Sequence, residues 1–449
     1  MDFEHKGDGL KKIVFNYDVQ LAKIGQFELE EIQSTLKHEI KKIQARLPLG
    51  YSSDYASLHV PGDRESVAVI QNLIEIKKRL EPTILVVIGI GGSALGTIAI
   101  HKALHGVFYN EQTQGMKVYF ADTIDADYIG QIYALVKKEL QQGGNVLVNV
   151  VTKSGTTMET IANFELFLAL LKEYKQKAYK DYIVVTTDSG SALWKYAQKE
   201  RVSCLGLPAK VGGRYSVFSP VGLFPLGMLD IDIKKLLQGA RSMVQACMQE
   251  DIKENIAAIS AAILYQCYKN GFFIYDTFIF SKDLFALGLW YRQLMAESLG
   301  KKFDRSGKMV HVGITPTVSV GTTDLHSVVQ LYLGGPMDKV TTFVIAPPKK
   351  DIMMPQIDAF EQFVANMQGR SVFYIMDAVK KGVETAYKKN KRPFVSVFIP
   401  KIDEFYIGQL LQWKMLEVMF LGCLFNVNPF DQPQVELYKK ETKEILAHE

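Results

Sequence analysis

The sequence predicts an α/β protein with two domains, each built on a parallel sheet. Short, almost continuously apolar runs such as Ile84–Ile90 and Asn145–Val151 alternate with longer amphipathic segments such as Glu65–Leu80. Apolar runs of this kind are typical of strands that helices cover on both faces of a parallel sheet, and the alternation favours α/β domains. The order runs once before about residue 205 and again after about residue 225, which predicts two such units.

The individual elements follow from periodicity. Runs rich in β-branched residues predict strands, and a 3.6-residue apolar pattern predicts helices between them. The predicted strands are Ile84–Ile90, Lys117–Ala121, Asn145–Val151, Tyr182–Thr187, Tyr275–Phe280, Met309–Ile314, Val340–Ile345 and Phe394–Ile399. The predicted helices include Glu65–Leu80, Thr156–Tyr174, Ala257–Lys269 and Phe405–Leu421.

These elements predict four segments of chain. Residues 1–48 form an N-terminal helical extension, 49–205 the first α/β domain, 206–402 the second, and 403–449 helices that pack across both domains. The stretch LGLPAKVGGRYSVFSPVGLFPLG, punctuated by Gly and Pro, is interpreted as a domain junction of ordered loops.

Composition and charge exclude several classes of protein. Of 449 residues, 48% are hydrophobic and 22% charged, which rules out a disordered chain and a fibrous repeat. Lys and Arg number 52 against 48 Asp and Glu, for a net charge of +4. So small a net charge indicates no nucleic-acid partner, because a protein that binds nucleic acid usually has a basic stripe. The same net charge would suit a small anionic ligand at least as well.

Cysteine usage and hydropathy predict a soluble cytoplasmic protein with no membrane partner. The scattered cysteines form no CxxC pair and are typical of reduced thiols; they are Cys204, Cys247, Cys267 and Cys423. The first residues have no apolar stretch typical of a secretory signal. The longest apolar stretch, Ile84–Ile100, is broken by glycines and fits a strand, turn and helix better than a membrane span.

The motif GIGGSALG at Gly89–Gly96 directly follows a predicted strand. Glycines there let backbone N–H groups approach an anion at the start of a helix. The motif also satisfies the GxGxxA pattern of dinucleotide-binding turns, which wants an acidic residue about 20 positions on. Glu111 has that distance but lies in a polar loop, and Asp122 comes later than expected. A tight turn chosen only for packing remains the alternative.

The motif TKSGTTMET at Thr152–Thr160 again joins a predicted strand to a helix. Four hydroxyls and one lysine within six residues, at a helix N-terminus, suit a phosphate monoester dianion. The alternative is a simple N-cap, for which Ser and Thr are preferred without any ligand. One hydroxyl would be a cap, whereas four favour an anion site.

Two further segments carry candidate residues. Arg214 follows two glycines in GGRYS and offers donors that never deprotonate. Gln293 and Glu297 are four apart and share a helix face. Taken alone, an arginine in a loop is more often a surface or ion-pair residue. Spacing alone likewise favours an exposed Gln–Glu pair on an ordinary amphipathic helix.

Histidines and the C-terminal lysines supply the last candidates. His326 lies just inside a helix predicted to open at Thr322, where it would tend to stay neutral and could pass a proton. Gln432, Glu436 and Lys439 fall on one face of a helix predicted to open at Pro433. His101 and His105 could share a face but lack the Glu of HExxH and a third ligand, so no metal is assigned.

Taken together and in order, these motifs resemble those of the glucose-6-phosphate isomerase (phosphoglucose isomerase) family, in its compact bacterial form. The matching segments are GIGGSALG, TKSGTT, GGRYSVFSPVGL, QLMAESLGK, GTTDLHSVVQ and FDQPQVELYK. The resemblance extends from about residue 89 to about residue 440 and implies two sugar-isomerase (SIS) domains, each a parallel sheet between helices. Two positions depart from the family pattern: Gln434 stands where the family often has Gly, and Thr152 where it often has Ser.

The resemblance also implies roles for single residues. Glu297 would move a proton between C2 and C1 of the sugar, and Arg214 would stabilise the enediolate between them. His326 would assist ring opening, with Lys439 as its partner near the ring oxygen. The remaining substrate contacts would come from Gln293, Gln432, Gly92, Ser93, Thr152, Lys153, Ser154 and Thr157, the hydroxylated loop gripping the phosphate. The family further implies a homodimer in which His326 reaches the partner's active site, with a sugar phosphate as substrate and no cofactor.

These residue types fit aldose–ketose isomerisation. A positioned carboxylate base supplies about 10²–10⁴-fold of rate, so substrate placement and stabilisation of the enediolate must supply the rest. The sequence has no credible metal-ligand cluster, which favours proton transfer over a hydride shift. A non-catalytic SIS module that senses sugar phosphates is one alternative; it would keep the loop at Thr152–Thr157 without needing the four catalytic residues together. A nicotinamide-dependent dehydrogenase built on the GxGxxA turn is the other.

Overall fold

A computed structural model describes residues 12–17 and 26–448 of the chain. Of the expected N-terminal extension, residues 1–11 and 18–25 therefore lie outside the described residues. The described strands are β1 (Val14–Tyr17), β2 (Ile84–Ile88), β3 (Lys117–Ala121), β4 (Val146–Val151), β5 (Ile183–Asp188), β6 (Ser203–Leu207), β7 (Ile274–Ile279), β8 (Lys301–Phe303), β9 (Met309–Val312), β10 (Thr315–Val320), β11 (Lys339–Ile345) and β12 (Phe394–Phe398).

Helices separate most of these strands, as the alternating pattern predicts. They are α1 (Gln26–Arg46), α2 (Ala56–His59), α3 (Arg64–Lys78), α4 (Leu95–His105), α5 (Tyr109–Gln112), α6 (Ala126–Gln141), α7 (Met158–Lys175), α8 (Ala192–Glu200), α9 (Pro220–Met228), α10 (Ile233–Ala246), α11 (Ile256–Lys269), α12 (Phe285–Leu299), α13 (Val329–Gly334), α14 (Val372–Lys389), α15 (Glu404–Leu424) and α16 (Val435–His448). None of the helices in the described part of the chain combines the length and apolarity that crossing a membrane requires.

The first sheet is entirely parallel, with strand order β3-β2-β4-β5-β6. Every residue of β2 and β4 is buried, which explains sequences that are apolar except for Asn149 in β4. The strand order reverses between β2 and β4, and open α/β sheets bind ligands at the carboxyl ends of strands beside such a switch point. The loops that follow β2 and β4 therefore occupy the expected place for a ligand.

The second sheet has the order β1-β12-β11-β7-β10. Four of these strands are parallel, and β1 adds an antiparallel edge by pairing Val14–Tyr17 with Phe398–Val395 of β12. The α/β class with two parallel sheets and helical ends is confirmed. The short edge strand β1 within the N-terminal extension was not predicted.

One predicted strand forms outside the parallel sheet. The segment Met309–Ile314 does not join the parallel sheet; β9 instead forms a two-stranded antiparallel hairpin with β8, and the sheet strand is β10. β10 has the polar sequence TPTVSV because two of its side chains serve a buried carboxylate. Thr317 Oγ1 and Ser319 Oγ donate to Asp276 Oδ1 at 2.6 and 3.0 Å. A polar inner face of this kind hides a strand from any apolar pattern.

Helix α15 is buried along most of its length and lies against helices of both sheets' layers. It contacts α4, which follows β2, and α12, which follows β7, as well as α1, α10 and α11. It also carries a buried ion pair, in which Lys414 Nζ lies 3.0 Å from Glu417 Oε2. The residues beyond α15 lead directly back to the junction between the two sheets, where the candidate site lies.

Candidate active site

Two loops meet at the carboxyl edge of the first sheet. One follows β2 and carries GIGGSALG, and the other follows β4 and carries TKSGTT. They are in close contact, since a Cβ added to Gly89 would come within 3.0 Å of the Val151 carbonyl oxygen. The structure thus brings the two glycine- and hydroxyl-rich motifs together at the switch point.

The hydroxyls of the second loop point at one another. Thr152 Oγ1 lies 2.8 Å from Thr157 Oγ1, and Ser154 Oγ lies 3.4 Å from the same atom. Thr157 is the residue before α7, yet its side chain makes no capping hydrogen bond to the helix. The cluster is therefore not explained by N-capping, and it gathers three hydroxyls beside a helix N-terminus.

Lys153 does not join this hydroxyl cluster through its ammonium group. Its Nζ donates to the carbonyl oxygen of Val211 at 3.1 Å and to that of Ala209. Burial lowers the pKa of Lys153, and the nearby charge of Asp188 opposes that shift. The lysine thus ties the hydroxylated loop to the chain that leads into GGRYS.

The first glycine-rich turn packs directly onto GGRYS. A Cβ on Gly92 would lie 2.2 Å from the carbonyl carbon of Gly213 and 2.5 Å from the amide nitrogen of Arg214. Only glycine permits this approach. Ser93 follows in the same turn, its N–H bonded to the Ile90 carbonyl oxygen at 3.2 Å. The turn places Arg214 against the carboxyl edge of the sheet.

Arg214 is the most heavily bonded side chain of the site. Its side chain is only 1% exposed, and its five donor directions are used by oxygen atoms from two parts of the chain, the end of α12 and the segment after α15. Its partners are Ser298 Oγ at 2.7 Å, Glu297 Oε2 at 3.3 Å, Gln432 Oε1 at 2.6 Å, Pro429 O at 2.6 Å and Asp431 O at 3.0 Å. A buried guanidinium held in this way is a fixed positive charge beside the Glu297 carboxylate.

Helix α12 presents Gln293 and Glu297 on one face, as their spacing predicts. Gln293 Nε2 donates to Glu297 Oε1 at 2.8 Å. The same Gln293 nitrogen would lie 2.8 Å from a Cβ on Gly91, so the helix face touches the first glycine-rich turn. The Glu297 side chain is 30% exposed. The carboxylate is therefore held by two protein donors, and part of it remains accessible to a ligand.

Gln432 approaches from the segment after α15 rather than from a helix. α16 begins at Val435, so the expected common helical face of Gln432, Glu436 and Lys439 is wrong for Gln432. Within α16, Lys439 Nζ lies 2.7 Å from Glu436 Oε1, and its side chain is 42% exposed. The structure thus brings Gln432 to Arg214 and gives Lys439 a partner on its own helix.

His326 lies away from the carboxylate of its own chain. It ends a 3-10 turn, Thr323–His326, and is exposed, so the expected place inside an α-helix is wrong. The start of β10 lies beside Glu297, because a Cβ on Gly313 would be 3.0 Å from the Gly300 Cα. His326 follows the other end of β10, and six extended residues span about 15–20 Å. Glu297 and His326 of one chain are therefore at opposite ends of that strand.

Several residues of the site were not found from the sequence. Ser298 accepts from the guanidinium of Arg214 and lies 3.1 Å from the hydroxyl oxygen of Tyr215. Lys301 and Asp431 form an ion pair at 2.8 Å beside them. Each lies in the same motif as a predicted site residue, Ser298 and Asp431 directly beside one and Lys301 four positions after Glu297, and that proximity in sequence was the available signal. In the described residues no group of three or more His, Cys, Asp or Glu side chains could hold a metal ion.

Comparison with known proteins places these features in one family. A family model described as Phosphoglucose isomerase matches residues 78–449. The glucose-6-phosphate isomerase of Carboxydothermus hydrogenoformans is 31% identical over 444 residues, covering 97% of this chain and 94% of the relative. That of Methanocaldococcus jannaschii is 35% identical over 431 residues, covering 95% of this chain and 98% of the relative.

Solved structures share the fold. A crystal structure of a hypothetical protein from Thermus thermophilus superposes with a TM-score of 0.83 at 29% identity, covering 97% of this chain and 100% of that one. A glucose-6-phosphate isomerase from Chlamydia trachomatis superposes with a TM-score of 0.81 at 22% identity, covering 98% of this chain and 89% of that one. The arrangement of two parallel sheets with the helices around them is thus shared across the whole chain.

Proposed function

The chain belongs to the phosphoglucose isomerase family, and we propose how its residues carry out that family's reaction. The protein is an aldose–ketose isomerase that interconverts glucose 6-phosphate and fructose 6-phosphate. The matched residues 78–449 include every candidate site residue from Gly92 to Lys439. The reaction needs an open-chain sugar, a base for a weakly acidic C–H proton, and charge stabilisation for the enediolate that results.

Glu297 is the base of this mechanism. It takes the proton from C2 of the open-chain aldose, so that a C1–C2 double bond forms and the electrons of the C1 carbonyl move onto O1. The proton of the O2 hydroxyl passes to O1, and the same carboxyl group returns its proton to C1 as O2 becomes the ketone carbonyl oxygen. Support comes from its fixed position, held by Gln293 at 2.8 Å and Arg214 at 3.3 Å, and from its partial exposure. A base whose orientation is fixed by neighbours avoids the entropy cost of finding its proton.

Arg214 stabilises the negative charge that forms on the enediolate oxygens. Its guanidinium is oriented by Ser298 and by the backbone around Pro429 before any substrate binds. A positive charge fixed in this way needs no reorganisation when negative charge develops beside it. Gln432, bonded to the same guanidinium at 2.6 Å, and Gln293 contact the sugar hydroxyls. The positive charge comes from this side chain, and the steps written here require no metal ion.

The loop after β4 binds the phosphate group. Thr152, Ser154 and Thr157 supply hydroxyl donors next to the N-terminus of α7, where a dianion is favoured. Lys153 holds the loop in place by donating a hydrogen bond to the carbonyl oxygen of Val211, and it adds a positive charge near the phosphate. Gly92 supplies its backbone N–H and Ser93 its hydroxyl from the neighbouring turn. Binding the phosphate away from the reacting carbons orients C1 and C2 at Glu297.

His326 and Lys439 open the sugar ring, and His326 acts in the active site of a second copy of the chain. The 15–20 Å between the two ends of β10, estimated from strand rise, supports this assignment, because His326 cannot serve the Glu297 of its own chain over that distance. Exposed apolar side chains near the His326 turn and between β11 and α14 support a homodimer as well. They include Leu331, Ile352, Met353, Phe360 and Phe363, each at least half exposed.

We also propose a cytoplasmic location and a place in glycolysis and gluconeogenesis, which both use this interconversion. None of the four cysteines, all of which lie in the described part of the chain, forms a disulfide, which is typical of a reducing compartment. A sugar-phosphate sensor is the less favoured alternative, because it would need the hydroxylated loop but not a carboxylate held against a buried guanidinium.

The observation that carries the mechanism is the contact between Arg214 and Glu297 beside the glycine-rich turn. Replacing Glu297→Gln keeps the hydrogen bond to Gln293 but removes the base, so turnover should fall by about 10²–10⁴-fold. Binding of glucose 6-phosphate, measured by calorimetry, should change little, because the phosphate loop is intact. The replacement Glu173→Gln on the outer surface of α7 is the control. Unchanged turnover in Glu297→Gln would remove Glu297 as the base.

A further inference from the structure

Lys301 joins two parts of the site that Arg214 and Tyr215 also connect. It lies two positions after the end of α12, and its side chain is only 6% exposed. Its Nζ donates to the Glu297 carbonyl oxygen at 3.0 Å, on the last turn of that helix. The same nitrogen lies 2.8 Å from Asp431 Oδ1 and also donates to the Asp431 carbonyl oxygen. One ammonium group therefore bonds the helix of the base to the segment of Gln432.

The partners of Lys301 are groups that need a donor. The Glu297 carbonyl belongs to the last turn of α12, where carbonyl oxygens have no helical partner. The Asp431 carbonyl is already shared with Arg214, whose Nη2 donates to it at 3.0 Å. Asp431 is further held by Asn428, whose Nδ2 donates to Asp431 Oδ2 at 2.9 Å. The network thus runs from α12 through Lys301 and Asp431 to the guanidinium of Arg214.

Side-chain bonds, and not a regular element, hold the segment that carries Gln432. The loop after α15 carries Gln432 but has no regular secondary structure between Phe425 and Gln434. Burial lowers the pKa of Lys301, and the Asp431 carboxylate opposes this shift, so the pair lies in a partly desolvated place. A charge-assisted bond in such a place fixes distances more firmly than an exposed one.

We propose that Lys301 is a positioning residue for the isomerisation, which fixes the distance between the carboxylate-bearing helix and the Gln432 segment. It touches no reacting atom in this arrangement. Its effect on the reaction passes through Glu297, Arg214 and Gln432, whose mutual placement must match the enediolate. The inference rests on the proposed roles of those three residues.

The first test replaces Lys301→Met, which keeps most of the aliphatic stem and removes the donors. Lys301 and Asp431 both line a cavity of about 680 Å³, so the new side chain has room. We expect kcat to fall about 10- to 100-fold, as for a misplacement of catalytic groups by about 1 Å. KM should change by less than about threefold, because the phosphate loop is untouched. The neighbouring exposed Lys302→Met is the matched control and should keep both constants.

A sugar-acid phosphate gives a readout that a purely structural role would not move. Its carboxylate mimics the planar, negatively charged enediolate, so it should bind in proportion to transition-state stabilisation. In Lys301→Met its affinity should fall by the same factor as kcat/KM, while the affinity for glucose 6-phosphate holds. Equal losses of affinity for the two ligands would overturn the proposal. So would a loss of kcat that the fraction of unfolded enzyme at the assay temperature fully explains.

Chemical rescue tests the ammonium group itself. The variant Lys301→Ala lacks three methylenes and the ammonium, and the adjacent cavity admits propylammonium. Saturable recovery of kcat is expected with propylammonium and none with propanol. Lys301→Arg should retain more activity than Lys301→Met for the same reason.

The Asp431 partner separates this inference from the base assignment. If both residues act as one link, Lys301→Met combined with Asp431→Asn should be no slower than Lys301→Met alone. Multiplying losses would show independent roles and overturn the link. Should Glu297→Gln retain full activity, the base assignment fails, whichever way the Lys301 variants behave.

Discussion

The Arg214 guanidinium lies 3.3 Å from the Glu297 carboxylate, although 83 positions of chain separate the two residues. Each side chain reaches the contact by a different route, Arg214 from the junction between the sheets and Glu297 from the last turn of α12. Because Arg214 has five oxygen acceptors at once, it cannot turn away when substrate enters. The positive charge is thus placed before the reaction begins.

Replacing Arg214→Lys should separate charge from geometry. A lysine keeps one positive charge but cannot reach Ser298, Pro429 and Gln432 together as the planar fork does. We expect kcat to fall about 10²–10³-fold, as when a donor to a developing oxyanion is lost. The exposed Arg292→Lys on α12 is the control. Steady-state kinetics that left kcat of Arg214→Lys unchanged would contradict a role in charge stabilisation.

Mixing two inactive variants tests whether His326 serves a partner. Glu297→Gln and His326→Gln proteins should each be nearly inactive. In a random mixture of dimers, half are hybrids, and each hybrid has one intact site of two, so activity should recover to about a quarter of wild type. Co-refolding the two variants and assaying the mixture checks this. No recovery, with hybrids detected by differently tagged subunits, would show that Glu297 and His326 act within one chain.

Much of the fold could be predicted from apolar pattern alone. β2 and β4 are buried on both faces and consist of apolar runs, so they were found with the loops that follow them. β10 was missed because Thr317 and Ser319 donate hydrogen bonds to Asp276 from its inner face. Polar residues at these positions break the apolar pattern by which a strand is predicted. The edge strand β1 was missed because four residues paired on one side give too short a pattern.

The site was predictable to the extent that its residues lie in motifs. Gln293 and Glu297 share one helix, so their four-residue spacing already places them together. By contrast, the bond between Lys301 and Asp431 spans 130 positions. No local rule relates two such residues, since their contact depends on how α15 crosses the two sheets. The placement of His326 is likewise a property of the packed sheet and not of the turn that carries it.

The buried pair Lys414–Glu417 should dominate the stability of α15. Both side chains are almost fully buried, and Glu417 also accepts from the Tyr291 hydroxyl. Replacing Glu417→Leu leaves the Lys414 ammonium without its counter-charge, which should cost about 3–5 kcal/mol. The midpoint of urea unfolding, followed by fluorescence, should fall accordingly. Adding Lys414→Met to the same protein should restore much of the loss, because the unpaired charge is gone; a double variant as unstable as the single one would refute this explanation.

His101 should make the folded protein sensitive to mild acid. Burial, with smaller contributions from His105 and Lys102, lowers the pKa of His101 to about 3, and the pKa of His105 is lowered as well. As pH falls below about 6.5, the unfolded chain takes up a proton on His101 that the folded protein refuses, so stability decreases by up to about 1.4 kcal/mol per pH unit. This loss continues until the folded protein also binds the proton, near the lowered pKa.

Replacing His101→Phe removes that linkage while keeping a ring among its aromatic neighbours. The His101 ring lies 4.8 Å from the ring of Tyr109 and 6.0 Å from that of Phe120, centroid to centroid. Between pH 7 and pH 5, the urea midpoint of the variant should fall less than that of the wild type. The exposed His38→Gln should follow the wild-type curve. If His101→Phe and wild type lose stability in parallel over this range, protonation of the unfolded chain at His101 does not drive the acid sensitivity, and other groups must account for it.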